Sequence, residues 1–173
     1  LPPEEMAAFN PNLTIPVFED GGQRLFDSSV IVAYLLATYS KRPMGGPQPP
    51  LAIHLVRPSH PWEDTLVLAT LETMGYAGMV LRQMEVAGVP AEGVPWLDRH
   101  RVRLRHELAW LDQQATPQGF TPGSFSAQDI SLICYADFME RRGLASLQTY
   151  PTLQALRTHF AQRPAVRETA LPD

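Results

Sequence analysis

Hydrophobic and polar positions near the start of the chain predict a strand, a turn, a second strand and a helix. Val17 and Phe18 favour a strand, and the Asp20-Gly21-Gly22 run after them allows the positive φ angles of a hairpin turn. Arg24-Leu25-Phe26 is the predicted return strand. Asp27-Ser28-Ser29 follows, with side-chain acceptors for the free N–H groups of a helix start. The next residues are apolar on nearly all sides, which predicts a buried helix.

A helical periodicity governs the chain after residue 61. Apolar residues recur three or four apart and predict a long helix from Trp62 to Ala87, which Gly75 and Gly78 interrupt. Each glycine costs about 1 kcal/mol against alanine in a helix. We therefore expect close packing against another backbone, or a bend, at these positions. A second amphipathic helix is predicted over residues 95–115, and its alternating arginines favour a solvated face over an anion-binding patch.

A third helix is predicted from Ile130 to Arg142, and its start carries a capping signal. Ser126 and Asp129 have the spacing of a capping box, in which each side chain bonds the other residue's N–H group. This role explains Asp129 better than that of a catalytic acid. We interpret Cys134, in the middle of this helix, as a packing residue rather than a nucleophile, because an apolar environment keeps a thiol protonated.

The two regions are separated by a segment rich in proline and glycine. Residues 40–61 contain six prolines, a density that excludes a regular helix or a central strand. We predict a linker over residues 41–61, between a first domain of residues 1–40 and an all-α domain of residues 62–173. A proline-rich docking segment is the alternative, but the segment has no clean repeat with basic flanks.

Composition excludes several classes of function. The chain has 173 residues and a net charge of −4, so the basic surface expected of a nucleic-acid-binding protein is missing. Its most apolar stretch is too short and too mixed for a membrane span, and we expect no membrane partner. The single cysteine excludes an internal disulfide and favours the cytoplasm. The five histidines have no metal-ligand spacing, so no metal is predicted.

The order of residues in the first domain resembles the second half of the thioredoxin-like domain of glutathione transferases. The residues that carry the resemblance are Asn10-Pro11, Ile15-Pro16, Val17-Phe18-Glu19-Asp20, Gly21-Gly22 and Asp27-Ser28-Ser29. The capping box and the closing residues 150–166 resemble the all-α domain of the same family. The resemblance implies an α+β fold, in which a partial thioredoxin-like domain precedes an all-α helical bundle.

The resemblance also assigns a glutathione site. In the family, the residue before a cis-proline pairs its backbone with the cysteinyl part of glutathione, which implies this role for Ile15 and a cis bond to Pro16. Ser28 would hold the γ-glutamyl carboxylate at a helix N-terminus, and Asp27 would accept from the γ-glutamyl ammonium. Ordinary N-capping is the alternative for these two residues. Thr14 stands where many relatives have glutamine, which weakens the reach to the glycyl end.

The function implied by this resemblance is that of a glutathione transferase, which conjugates or transfers the thiol of its cosubstrate glutathione to a small electrophile. A non-catalytic module, used for dimerisation or partner binding, is the alternative. In the family, a strand–helix–strand unit with the catalytic residue precedes the matched region. We therefore expect such a unit upstream of Leu1, and the catalytic residue stays unassigned. A homodimer is expected, since the helix from Ser29 to Tyr39 and the glycine-interrupted helix can both supply a two-fold interface.

Overall fold

The computed structural model of the chain describes residues 2–39, 53–90 and 92–170. The backbone divides into two compact units, Leu1–Ile53 and His54–Asp173. Residues 41–52 of the predicted linker lie outside the described residues, so the linker remains a prediction. Residues 54–60 group with the second unit, to which they are hydrogen bonded.

The first unit contains a short helix, a hairpin and a longer helix. Their bounds are α1 Pro3–Ala7, β1 Val17–Asp20, β2 Gln23–Phe26 and α2 Ser28–Tyr39. β1 and β2 are antiparallel, and the turn between them has positive φ angles of 55° at Gly21 and 86° at Gly22. The predicted order of strand, turn, strand and helix is therefore confirmed.

The expectation that α2 is buried on nearly all sides is wrong. Among its side chains only Ile31 is buried, most of the others are half-buried, and Val30 is 48% exposed. Within this unit the helix packs on β2, and a two-stranded hairpin is too small to cover a helix on every side.

The second unit is helical. Its elements are α3 Pro61–Val86, α4 Pro95–Gln114, α5 Ala127–Arg141, a short 3₁₀ helix Leu147–Thr149, α6 Pro151–Phe160 and α7 Pro164–Glu168. α3 packs against both α4 and α5, and their apolar faces form the core together with residues of α6. None of the described helices is long and apolar enough to span a membrane.

The two glycines of α3 lie where α5 crosses it. A Cβ atom added at Gly75 would lie 2.5 Å from the Tyr135 ring, and one at Gly78 would lie 3.3 Å from Cγ of Met139. Both glycines lie at a close contact with α5, but the expected approach of another backbone is wrong, because the groups nearest to them are side chains of α5. Glycine is needed most at position 75, because an aromatic ring occupies the space of a larger residue.

A partly buried ion pair joins the start of α3 to the residues before it. The guanidinium of Arg57 donates to both carboxylate oxygens of Asp64, over 3.0 Å from Nε and 2.6 Å from Nη2, and the Arg57 N–H donates over 2.7 Å. Burial alone would raise the pKa of Asp64, but these hydrogen bonds lower it below its ordinary value. This ion pair, whose partners lie seven positions apart, was not identified from the sequence.

The predicted capping box at the start of α5 is confirmed. The Ser126 hydroxyl accepts from the Asp129 N–H, and the Asp129 carboxylate accepts from the Ser126 N–H over 2.8 Å. The second Asp129 oxygen accepts from the Phe120 N–H over 3.0 Å. Burial raises the pKa of Asp129, and these hydrogen bonds oppose the rise. Its contacts give Asp129 a structural role, and α5 begins at Ala127, directly after the capping serine.

The packing interpretation of Cys134 is wrong, because its side chain is exposed. The buried face of α5 is formed by other residues, among them Leu132, Ala136 and Met139, and Cys134 lies off that face. Partial desolvation and the Asp137 carboxylate nevertheless raise the pKa of the thiol. The thiol therefore stays protonated near neutral pH, as expected of an unreactive cysteine.

Candidate functional site

The residues predicted to bind glutathione lie at one end of the β1–β2 hairpin. Val17 and Phe26 form the last pair of the antiparallel ladder at this end. Pro16 directly precedes that pair and Asp27 directly follows it, so the register brings the two halves of the predicted site to the same edge. The peptide bond between Ile15 and Pro16 is cis, as predicted.

At this edge, the backbone of Ile15 has no hydrogen-bond partner among residues 2–39. Its side chain is 79% exposed, and within residues 2–39 neither its N–H nor its C=O has a hydrogen-bond partner. An exposed residue whose backbone donor and acceptor have no partner in its own unit can pair with the backbone of a bound peptide, as an added strand does.

Asp27 is the residue that caps α2. Its carboxylate accepts from the Ser29 N–H over 2.9 Å and from the Ser29 hydroxyl over 2.5 Å, and its carbonyl accepts from the Ile31 N–H over 3.0 Å. The hydrogen bonds from Ser29 hold the pKa of Asp27 below its ordinary value. Its φ of 72° is in the left-handed region, which asparagine and aspartate adopt more readily than most residues. The carboxylate is exposed and charged, so capping leaves it able to meet a cation.

Ser28 is the first residue of α2 and does not cap it. Its side chain is exposed, and its hydroxyl has no hydrogen-bond partner among residues 2–39. Because Asp27 satisfies the Ser29 N–H, capping of that group does not use the Ser28 hydroxyl. Such a hydroxyl at the positive end of a helix of 12 residues favours an anion.

Two further polar groups in this unit were not identified from the sequence as part of the site. Asp20 was interpreted only as a turn residue, but its carboxylate accepts from the hydroxyls of Tyr34 and Tyr39 and so links the hairpin to α2. Asn10 is completely buried and bonds the loop before Ile15. The Asn10-Pro11 pair after a helical turn was the available signal, but the sequence does not show which groups the amide would meet. No group of three or more metal-ligating side chains occurs among the described residues.

The family model for the N-terminal domain of glutathione S-transferase matches residues 1–43, which include the whole candidate site. The chain also has the fold of solved glutathione transferases along nearly its whole length. The matched domain and the shared fold support a glutathione S-transferase family member.

Several solved structures of the family are similar to this chain. A glutathione transferase family member from Pseudomonas fluorescens Pf-5, with bound S-(propanoic acid)-glutathione, is 27% identical, with a TM-score of 0.73 over 95% of this chain and 80% of its own. A second structure from that organism, with bound glutathione, is 26% identical, with a TM-score of 0.74 over 98% of this chain and 80% of its own. A glutathione S-transferase from Methylobacillus flagellatus KT, also with bound glutathione, shares the fold at 22% identity. Its TM-score is 0.74 over 96% of this chain and 80% of its own.

These neighbours confirm the predicted α+β fold of this chain, with part of a thioredoxin-like domain followed by an all-α domain. A search of curated proteins found no match. Assignment to the family therefore depends on the N-terminal domain match and on the shared fold.

Proposed function

We propose that this family member is a glutathione transferase, which uses glutathione as cosubstrate and joins its thiol to a small electrophile. The observation that carries the proposal is a pair of groups at one end of the hairpin, the backbone of Ile15 and the hydroxyl of Ser28, which have no hydrogen-bond partner among residues 2–39. Two solved relatives from Pseudomonas fluorescens Pf-5, each more than a quarter identical, contain glutathione or a glutathione thioether.

Each site residue has a role in this proposal that follows from its chemistry. The N–H and C=O of Ile15, before Pro16, pair with the cysteinyl residue and so place its sulfur. The hydroxyl and N–H of Ser28 hold the γ-glutamyl carboxylate, where the positive end of α2 adds to the attraction. The Asp27 carboxylate, kept ionised by Ser29, accepts from the γ-glutamyl ammonium.

The reaction is attack by sulfur on carbon. Glutathione first loses its thiol proton, because the thiolate is the nucleophile. A sulfur electron pair then forms the new C–S bond at the attacked carbon. The electron pair displaced from that carbon departs with the leaving group, or takes up a proton when the electrophile is an activated alkene. The residues assigned here bind and orient glutathione, and the group that stabilises the thiolate is not assigned to any of them.

We also propose that the chain forms a homodimer, and that α3 supplies the interface. One side of α3 exposes a series of large apolar side chains, which we call the α3 face: Trp62, Leu66, Tyr76, Met79 and Val86. Four of these five are 58–77% exposed, and the fifth, Met79, is 46% exposed. A long apolar face on a helix usually marks an interaction site, and a second copy offers a matching face. The alternative function, a non-catalytic module that only dimerises, would use the same face.

The proposed location is the cytoplasm. A thiol cosubstrate must stay reduced to react, and the single exposed cysteine of the chain also fits a reducing compartment.

Titration and product analysis test the transferase proposal. We expect calorimetry on the full-length protein to show binding of S-methylglutathione, which cannot react, and mass spectrometry to show glutathione adducts with at least one electrophile from a panel of aryl halides, epoxides and activated alkenes. Heat-inactivated protein is the control for the uncatalysed reaction. Binding without any accelerated conjugation would favour the non-catalytic module, and absence of binding would contradict both site and function.

A further inference from the structure

Asn10 is the one fully buried residue in an otherwise exposed segment. Its relative exposure is 0%, whereas residues 7–9 before it and residues 11–16 after it are all exposed. Asparagine is seldom buried completely unless its amide is hydrogen bonded. The contacts of this amide therefore show what the buried position holds in place.

Every polar group of Asn10 is used, and the amide holds the residues just before Ile15. Nδ2 donates to the carbonyl oxygen of Thr14 over 2.7 Å and to its hydroxyl over 3.0 Å. Oδ1 accepts from the Asn12 N–H over 2.8 Å, and the Asn10 carbonyl accepts from the Leu13 N–H over 3.0 Å. These bonds also enclose Leu13, whose φ of 56° is unfavourable for a branched side chain.

The bond to the Thr14 carbonyl also fixes the orientation of a group on Ile15. The Thr14 carbonyl and the Ile15 N–H belong to one planar peptide unit, so fixing the oxygen fixes the direction of the N–H. Ile15 has no hydrogen-bond partner of its own within residues 2–39. The direction of its N–H is therefore set through Thr14 and, beyond it, through the amide of Asn10.

We infer that Asn10 is a positioning residue for glutathione. Its amide aligns the Ile15 N–H with the carbonyl of the bound cysteinyl residue. The inference rests on the proposed function and extends it to a buried residue that does not touch the ligand. It makes the amide donor of Asn10, rather than its size, the feature that the site requires. In this inference, binding of the cysteinyl part of glutathione depends on Asn10, whereas binding of the γ-glutamyl part depends on Ser28 and Asp27.

Asn10→Asp is the variant that tests the inference, because it keeps the shape and removes the donor. A carboxylate at this position would face the Thr14 carbonyl and hydroxyl without hydrogens to offer them. We expect the Kd for S-methylglutathione and the KM for glutathione to rise about tenfold, as for the loss of one aligned hydrogen bond. The kcat and the KM for the electrophile should stay within about twofold, because saturating glutathione restores the occupied site.

Asn12→Asp is the matched control. It makes the same change of charge two residues away, at an exposed side chain, and leaves the Asn12 backbone N–H in place. We expect its Kd and KM to equal those of the unchanged protein. Thr14→Val is the milder test, since it removes only the hydroxyl acceptor and keeps the carbonyl, and it should raise the Kd about two- to threefold.

The outcomes separate this inference from the proposed function. Failure of the unchanged protein to bind S-methylglutathione would overturn the proposed function and the inference with it. Normal binding by the unchanged protein, with an equal Kd in Asn10→Asp, would overturn the inference alone. A purely structural role would lower the melting temperature and the active fraction, hence kcat, while the KM for glutathione stayed constant. If Asn10→Asp does not fold, Thr14→Val decides, and an unchanged Kd in that variant overturns the inference.

Discussion

Asp112 of α4 caps α6, a helix that begins 39 residues later in the chain. Its Oδ1 accepts from the N–H groups of Thr152 and Leu153, over 2.8 and 2.9 Å, and no side chain of α6's own N-cap residue does so. A carboxylate at this end of a helix satisfies free donors and meets the positive end of the dipole. One side chain thereby ties two helices of the second unit together.

Asp112→Ala should destabilise the protein by about 1–2 kcal/mol, the usual loss when a cap is removed. Asp112→Asn keeps an acceptor oxygen and should cost about half as much. Urea unfolding measures both, and Gln113→Ala, at an exposed neighbour on α4, is the control. Equal stability of Asp112→Ala and the control would show that α6 does not need this cap.

Gly75→Ala tests the crossing of α3 and α5. The added Cβ would meet the Tyr135 ring at 2.5 Å, so we expect a loss of about 1–3 kcal/mol even though alanine favours a helix. Gly78→Ala is the comparison, because its nearest neighbour is the flexible Met139 at 3.3 Å. We expect Gly78→Ala to be close to neutral in the same thermal melts. A Gly75→Ala protein that is more stable than the unchanged one would contradict the packing.

These contacts show which parts of the fold the sequence could predict. The hairpin and the Ser126–Asp129 capping box depend on neighbours in the chain, so spacing alone identified them. The Asp112 cap joins residues 40 and 41 positions apart, and no local pattern reveals such a pairing. Cys134 was misinterpreted for a related reason, because apolar neighbours in sequence do not fix which side of a helix faces the core.

The sequence likewise predicted only part of the candidate site. Asp27 and Ser28 were predicted together as caps or as ligands, and the sequence did not separate the two roles. The structure gives the cap to Asp27 and leaves the Ser28 hydroxyl without a partner among residues 2–39. The sequence did not reveal the role of Asn10, because that role depends on how residues 12–14 fold back onto its amide.

Glu107 on α4 should make stability depend on pH. Burial raises the pKa of Glu107 to about 7 from its ordinary value of 4.5, and Oε2 has no hydrogen-bond partner in the part of the chain that the structure describes. The folded protein therefore keeps a proton that the unfolded chain loses, so stability falls as pH rises from about 4.5 to about 7 and then levels off.

Glu107→Gln replaces the acid with a neutral group of the same shape. We expect the variant to be more stable than the unchanged protein at pH 8, with the difference shrinking or reversing at pH 4, where the acid is neutral as well. Chemical unfolding at both pH values measures this. A difference in stability that does not change with pH would contradict the raised pKa.

Leu66→Arg should disrupt the proposed homodimer. Leu66 lies on the α3 face and is 58% exposed, so the change has little effect on a monomer but places an unpaired charge in an apolar interface. Light scattering should give twice the chain mass for the unchanged protein at micromolar concentration and the single mass for the variant. Ala165→Arg, at an exposed residue of α7, is the control and should stay dimeric. A monomeric unchanged protein would contradict the dimer.

Ser28→Ala tests the anion-binding end of the site. The lost hydrogen bond is to a charged carboxylate, so glutathione affinity should fall about ten- to a hundredfold. The melting temperature should stay nearly constant, because Asp27 rather than Ser28 caps α2. Asp27→Ala should behave differently, with a loss of about 1 kcal/mol of stability as well as weaker binding. Titration calorimetry and thermal melts on the same preparations distinguish the two residues. A Ser28→Ala protein with a lowered melting temperature and unchanged affinity would show that Ser28 supports the helix and does not bind glutathione.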